Sequence, residues 1–207
     1  FDAFLADEID AGQIAAFARD TAEAGTWNVP TEILVEQLID ATPVTELRNR
    51  LEMQYMPAET VDDWARAKER QLADRDFDPE VAALAVELRR RLILELQRAG
   101  AGLLLGSDSP QIFNVPGFSL HRELDALVAA GLTPYEALYT GTAAVAGFLG
   151  INTGIIAVGR DADLVLLDAD PLADIRNSRR IHGVMLRGQW HPANWLEQRL
   201  EAYRATP

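Results

Sequence analysis

"LLLGSDSP", residues 103–110, is an apolar run that stops abruptly at two serines with Asp108 between them. Consecutive leucines read as a short strand buried on both faces, and Gly100 and Gly102 just before them end a helical pattern. Helix, glycine turn and short apolar run together are the signature of an αβ unit that feeds a parallel sheet. In such sheets ligands gather at the carboxyl ends of the strands, because the strand-to-helix loops converge there. Asp108 stands at that end. It either caps a turn with its neighbour Ser109, or serves as a carboxylate that holds a metal and takes a proton from water.

Working upstream, "PEVAALAVELRRRLILELQRA", from Pro79 to Ala99, carries Val81, Leu84, Ala85, Leu88, Leu92 and Leu96 at helical spacing. A second helix precedes it, with Thr60 and Asp63 as its expected N-terminal cap. "TEILVEQLID" (31–40) is expected to be helical with Thr31 as N-cap, and "TWNVP" (26–30) to be a short strand that ends at proline. The first helix, within "DEIDAGQIAAFARDTAEAG" (7–25), places Ile9, Ile14, Phe17 and Ala18 on one face and stops at Gly25.

Downstream of the loop "PQIFNVPGF" (110–118) the helical pattern returns. One helix is expected in "SLHRELDALVAAG" with Ser119 as N-cap, and another in "TPYEALYTGTAAVAGFLG" with Thr133 as N-cap and Pro134 in the first turn. Past residue 153 short β runs alternate with Gly and Asp turns, which fits a small antiparallel sheet, and "NWLEQRLEAYRA" (194–205) reads as a closing helix. The expected units are 1–150, 151–192 and the helical tail 193–207.

The 207 residues, 48% hydrophobic and 25% charged, can bury a sizeable core. A net charge of −13 opposes binding to a phosphate backbone or an anionic membrane surface, and no window holds the roughly 18 to 20 apolar residues of a membrane span. With no cysteine, a disulfide framework, a zinc–thiolate site and a Cys nucleophile are all excluded, so a metal would need nitrogen and oxygen ligands. The chain opens with Phe1, which is not expected to be the translational start, and localisation cannot be read from it.

"GSDSP", the segment "SLHRELDALVAAGLTPYEALYTGTAAVAGFLG" and the segments "GIIAVGRDADLVLLDADPLADI" and "RIHGVMLRGQW" together resemble the C-terminal half of the metal-dependent amidohydrolase superfamily, in its imidazolonepropionase-like and prolidase-like branch. The resemblance is strongest over residues 100–190, with "GRDADLVLLDADPL" its most specific piece, and weaker over "EAGTWNVPTEIL". It implies an α/β fold, the C-terminal part of a (β/α)8 TIM barrel plus part of a small β-sandwich. "TWNVP" would be the seventh barrel strand and "AGLLLGSD" the eighth, while "DLVLLDA" and "HGVMLRGQ" would belong to the sandwich.

The resemblance further implies hydrolysis of C–N bonds in non-peptide, cyclic or dipeptide-like amides. Asp108 would be metal ligand and general base and acid, and the cofactor would be one or two divalent ions, zinc by family preference. The family's remaining ligands, a His-x-His pair, a carboxylated lysine and two further histidines, come from earlier strands. His121, His182 and His191 are unpaired in sequence, and Lys68 sits in the charged run "WARAKER", where a carbamate would be solvated. The expected partners are therefore a small-molecule substrate and an N-terminal remainder of the enzyme, on the same or a separate chain; a homo-oligomer is compatible. This segment alone is expected to be inactive.

His121 and Asn114 are the candidate substrate-binding residues, the latter with Phe113 and Val115 in a loop at the reactive face. Trp27 is expected to pack in the core, with Asn28 beside it. His182 and His191 are expected to be structural or exposed, and Asp161, Asp163, Asp168 and Asp170 to be turn residues, since no EF-hand spacing links them. The alternative from a different class is a binding or assembly protein that keeps the scaffold without the chemistry.

Overall fold

The computed structural model describes residues 10–204. Ile9, expected on the first helix, lies outside that range. Helix α1 (Ile14–Glu23) follows a 3-10 turn capped by Asp10, whose Oδ1 accepts from the Gly12 amide at 2.8 Å. It buries Ile14 and Ala18, whereas Phe17 is exposed. The receiving element is α5 (Pro79–Ala99), which starts on an Asp78 cap with Pro79 in its first turn and ends at Gly100 in the left-handed conformation.

Along α5 the buried residues are Ala82, Ala85, Ile93 and Leu96; Ala85 and Leu96 belong to the expected stripe, Ala82 and Ile93 take the places of Val81 and Leu92, and Leu84 points to solvent. Leucines occur on two faces of this helix, so periodicity alone is ambiguous. Close approach to α1 selects the face that carries alanines.

Strands β1 (Trp27–Asn28) and β2 (Gly102–Leu103) pair in parallel, Trp27 against Gly102 and Asn28 against Leu103. The pairing extends through the Leu104 amide, which donates to the Asn28 carbonyl at 2.9 Å. Between them run α2 (Glu32–Ile39), α3 (Val44–Arg48), α4 (Ala58–Leu72) and α5. Thr31 precedes α2 as expected, yet with φ of 52° its side chain makes no cap. Thr60 also does not cap α4: that helix begins two residues earlier, after Pro57, whose fixed φ already suits a helix start.

After β2 come α6 (Phe118–Ala129), α7 (Pro134–Thr140) and α8 (Ala143–Leu149). Gly117 rather than Ser119 precedes α6, and Ser119 lies inside its first turn. Thr133 caps α7 with Pro134 in its first turn, as the sequence led one to expect, and Glu136 completes a reciprocal capping box. The single helix expected from Thr133 to Gly150 is two, because the Thr140 carbonyl is taken by the Leu105 amide at 3.2 Å and Gly141 gives way to the Leu105 side chain.

One buried cluster joins α1, α5, β2, α6 and α7 through Ala18, Ile93, Leu103, Leu124, Leu127 and Ala137. A second lies under the loop that follows β2 and holds Leu47, Met53, Val61, Ala65, Phe113 and Val115. The segments that leave the carboxyl ends of the parallel pair are residues 29–31 after β1 and the stretch with Asp108 after β2.

The C-terminal stretch is a three-stranded antiparallel sheet, β3 (Leu164–Leu167), β4 (Ile181–Leu186) and β5 (Gln189–Pro192), in sequential order. Arg187 and Gly188, both at positive φ, make the two-residue turn whose twist matches antiparallel strands. Helix α9 (Ala193–Glu201) packs back on β4 and β5, with Trp195 against His191 at 4.4 Å between ring centres. Among the described residues no helix is long and apolar enough to cross a membrane.

Candidate functional site

Asp108 lies four residues beyond the last paired position of the parallel sheet, on its carboxyl side, and is exposed. Its Oδ2 accepts from Gln111 Nε2 at 2.7 Å, and the same amide donates to the Asp108 carbonyl at 3.2 Å. The backbone around it is unusual. Asp108, Ile112 and Phe113 have φ of 48°, 26° and 58°, a region that costs a residue with a side chain on the order of 1–3 kcal/mol, least for Asp. The surrounding packing holds them there: Phe113 is fully buried against Trp64, ring centres 5.8 Å apart, and Val115 is buried beside it. Both residues therefore support the loop from below instead of facing a ligand.

Asn114 is likewise fully buried, its Nδ2 donating to the Ser107 carbonyl and its backbone amide to the Gln111 carbonyl at 2.6 Å. It has no surface to offer a substrate; it braces the loop. The other candidate, His121, turns to the 3-10 turn at Ile175–Arg179, its Nδ1 lying 2.9 Å from Ser178 Oγ. Burial, with Arg179 adding to it, holds its pKa below the usual imidazole value. Neither Asn114 nor His121 makes a hydrogen bond to Asp108.

His182 is exposed and meets Asp168 at 2.9 Å, tying the end of β3 to β4, and Asp163 accepts from the Arg187 amide at 2.7 Å at the β4–β5 turn. Trp27, expected in the core, is 42% exposed and leans on Phe148 at 5.3 Å. Its ring instead covers Gly102 across the strand pair, where a Cβ would meet it at 2.4 Å.

Sequence reasoning overlooked a set of buried charges that frame this end of the sheet. The Glu123 carboxylate, from α6, accepts from the Glu32 and Ile33 amides at 2.9 and 2.8 Å and so caps α2 from outside, in place of Thr31. Glu32 is itself fully buried and pairs with Arg89, which also donates to the Pro30 carbonyl at 3.1 Å. Lys68, expected on a solvated face, is only 2% exposed. Its Nζ donates to the Gln37 and Asp40 carbonyls at 2.7 and 2.6 Å and to Asp40 Oδ1 at 2.9 Å, closing the other end of α2. A signal existed: Val61, Ala65 and Lys68 follow one another at helical spacing, so the lysine sits on the core stripe of α4.

Burial pushes Glu123 up to about 7, with Glu32 and Glu36 adding to the rise and the two amide bonds opposing it. An acid whose pKa rises on folding favours the fold fully below its unfolded value, near 4.5, and loses that contribution as pH climbs through about 7. Urea midpoints are therefore expected to fall over that interval, and Glu123→Gln to flatten the slope. An unchanged slope in the variant would show that Glu123 is not the titrating group.

Among the described residues no three His, Cys, Asp or Glu side chains come together as a metal cluster. Asp108 fits a divalent cation as one oxygen ligand, being exposed, at the loop-bearing end of the sheet, and held only by a neutral amide. The described residues do not complete a ligand set around it.

A family model described as the amidohydrolase family matches residues 9–191. The chain belongs to the amidohydrolase family. Among solved structures it is similar to a bottromycin amidohydrolase, with 26% identity and a TM-score of 0.68 over 88% of this chain and 41% of that one. It is also similar to one described as a prolidase of Bifidobacterium longum, with 25% identity and a TM-score of 0.53 over 86% and 38% of the two chains. A Xaa-Pro dipeptidase with bound methionine shares the fold at 20% identity, with a TM-score of 0.54 over 84% and 36%. No curated protein matches the chain. This amidohydrolase-family chain thus spans about two fifths of the length of the solved structures it resembles.

Proposed function

We propose that this chain contributes Asp108 to a metal-dependent hydrolase of C–N bonds in small amides, whether non-peptide, cyclic or dipeptide-like with proline after the scissile bond. The observation that carries this reading is the placement of Asp108: exposed, past the carboxyl end of a parallel strand pair, on a loop whose strained backbone is held by buried neighbours. The family membership and the likeness to a bottromycin amidohydrolase and a prolidase support it.

In this reading β1 and β2 are the seventh and eighth strands of a (β/α)8 barrel within residues 1–150. Strands β3 to β5 then belong to a small β-sandwich over 151–192, followed by the helical tail. A divalent ion, zinc by family preference, would supply a Lewis acid and lower the pKa of water toward about 7. Asp108 would be one of its ligands, the others coming from outside the described residues.

The chemistry of the chain itself is proton transfer. Asp108 takes a proton from the attacking water as the nucleophile adds to the amide carbonyl. It then gives that proton to the nitrogen as the C–N bond breaks, so one carboxyl serves as base and then acid. Gln111 donates a neutral hydrogen bond to the same carboxylate and orients it without competing for its charge.

The test is hydrolysis of Ala-Pro, Met-Pro and N-acetyl amino acids by the full-length protein, before and after treatment with a chelator. Release of free amino acid from at least one of them is expected, lost by about a hundredfold or more on chelation and restored by added zinc. Metal-loaded protein that cleaves none of these, or cleavage indifferent to the chelator, would overturn the reading.

A further inference from the structure

The residues on either side of Asp108 are held by polar groups that the interior would not otherwise keep. Ser107, Asn114 and Ser119 are 5%, 0% and 1% exposed. Ser107 is gripped at both of its polar positions: its hydroxyl lies 2.8 Å from Ser119 Oγ, and its carbonyl accepts from Asn114 Nδ2. On the other flank, Gln111 holds the Asp108 carboxylate and carbonyl while its own carbonyl accepts from the Asn114 amide. Both routes away from Asp108 thus end at Asn114.

We propose that Asn114 and the Ser107–Ser119 hydroxyl pair are positioning residues that set the orientation of the Asp108 carboxylate. The inference rests on the proton-transfer role given to Asp108 above. Three features separate such a clamp from ordinary packing. Asn114 Oδ1 is buried with no partner among the described residues, a cost an apolar side chain would avoid, so the asparagine is kept for what its Nδ2 does to Ser107. The positive φ of Asp108, Ile112 and Phe113 persists only because something over-determines it, and the Ser107 and Gln111 bonds fall on either side of Asp108.

The anchor is also rigid. Ser119 lies in the first turn of α6, a helix that Glu123 ties to the start of α2 and that Arg122 ties to the buried Glu52. A loop fastened to such a frame can hold a carboxylate to within the fraction of an ångström that proton transfer demands.

The test uses the full-length protein with whichever of Ala-Pro or Met-Pro it cleaves faster, and compares Ser107→Ala, Ser119→Ala, their double variant, Asn114→Ala and Asp108→Asn. Alanine for serine removes one oxygen and keeps the packing, so the serine variants retain a cooperative thermal transition even if Asn114→Ala does not. Each serine variant is expected to lose about ten- to a hundredfold in kcat with KM within about twofold of the parent. The double variant is expected to be no worse than either single one, because the two hydroxyls act as one contact. A kcat within twofold of the parent in both serine variants, a loss confined to KM, or losses that multiply in the double variant would each overturn the inference. If Asp108→Asn is inactive in that case, the role of Asp108 stands without the clamp. If Asp108→Asn is active, it is the proton-transfer reading that falls.

Discussion

Asp108→Asn in the full-length protein is expected to lower kcat by about a thousandfold or more, within the span that general acid–base catalysis contributes. The substitution is chosen so that little else changes. Asparagine tolerates the left-handed conformation as well as aspartate does, so the φ of 48° at this position is preserved. Its amide oxygen can still accept from Gln111 Nε2, the bond that orients the side chain. Because the position is exposed, unfolding free energy should stay within about 0.5 kcal/mol of the parent. What the variant loses is the carboxylate itself: the ability to take a proton from water and hand it to the departing nitrogen, and the negative charge that would help hold the divalent ion. Steady-state kinetics alongside urea denaturation separates the two effects, and turnover within tenfold of the parent would remove Asp108 from the chemistry.

Lys68→Met carries the largest expected effect on stability, a loss of about 3–5 kcal/mol. Methionine fills nearly the same volume, so the loss reports the ammonium group rather than a cavity. Each of the three Nζ protons has an acceptor, two of them carbonyls at the end of α2 that the helix itself leaves unpaired. Removing the charge strands those carbonyls in a site of which Lys68 occupies the centre at 2% exposure, and leaves the part-exposed Asp40 carboxylate with Thr42 alone, among the described residues, as its donor. With domain stabilities of about 5–15 kcal/mol, this change alone takes a large share. A shift in urea midpoint worth less than about 1 kcal/mol would mean that water reaches the site and replaces the ammonium.

These two residues show how unevenly the fold was legible. Asp108 could be placed from its neighbours, because a glycine-ended helix followed by leucines specifies a parallel strand, and the chain after such a strand faces the loop-rich end. The bounds of α5, the Thr133 cap with Pro134 after it and the antiparallel strands at 164–167 and 181–186 were readable for the same reason: each depends on residues within a turn or two of one another. Lys68 was misread because a run of charges looks solvated unless its acceptors are known, and those lie about thirty residues away on α2. Thr31 was misread similarly. The true cap on α2 is Glu123, some ninety residues along the chain.

The loop after β2 divides in the same way. Its composition marks "PQIFNVPGF" as a connection near the reactive end, and so Phe113, Asn114 and Val115 were natural candidates to line a pocket. Only packing could turn them inward, since burial of Phe113 beneath Trp64 depends on α4, which is separated from the loop by the whole of α5 and β2. His121 was drawn away by Ser178, a partner supplied by the segment between β3 and β4.

The sequence by itself determined most of the order of helices and strands, though not the short helix α3 or the break between α7 and α8, together with the acidic and cysteine-free character of the chain and the position of Asp108 at the end of a buried strand. Those properties follow from local periodicity, composition and turn chemistry. Tertiary structure alone decided which polar groups are buried, which helix ends they close, and that Asn114 and Ser119 lie beneath Asp108's loop instead of in front of it. Those are outcomes of contacts between segments far apart in the chain, and an isolated charge or amide in a sequence carries no mark of the partner it will find.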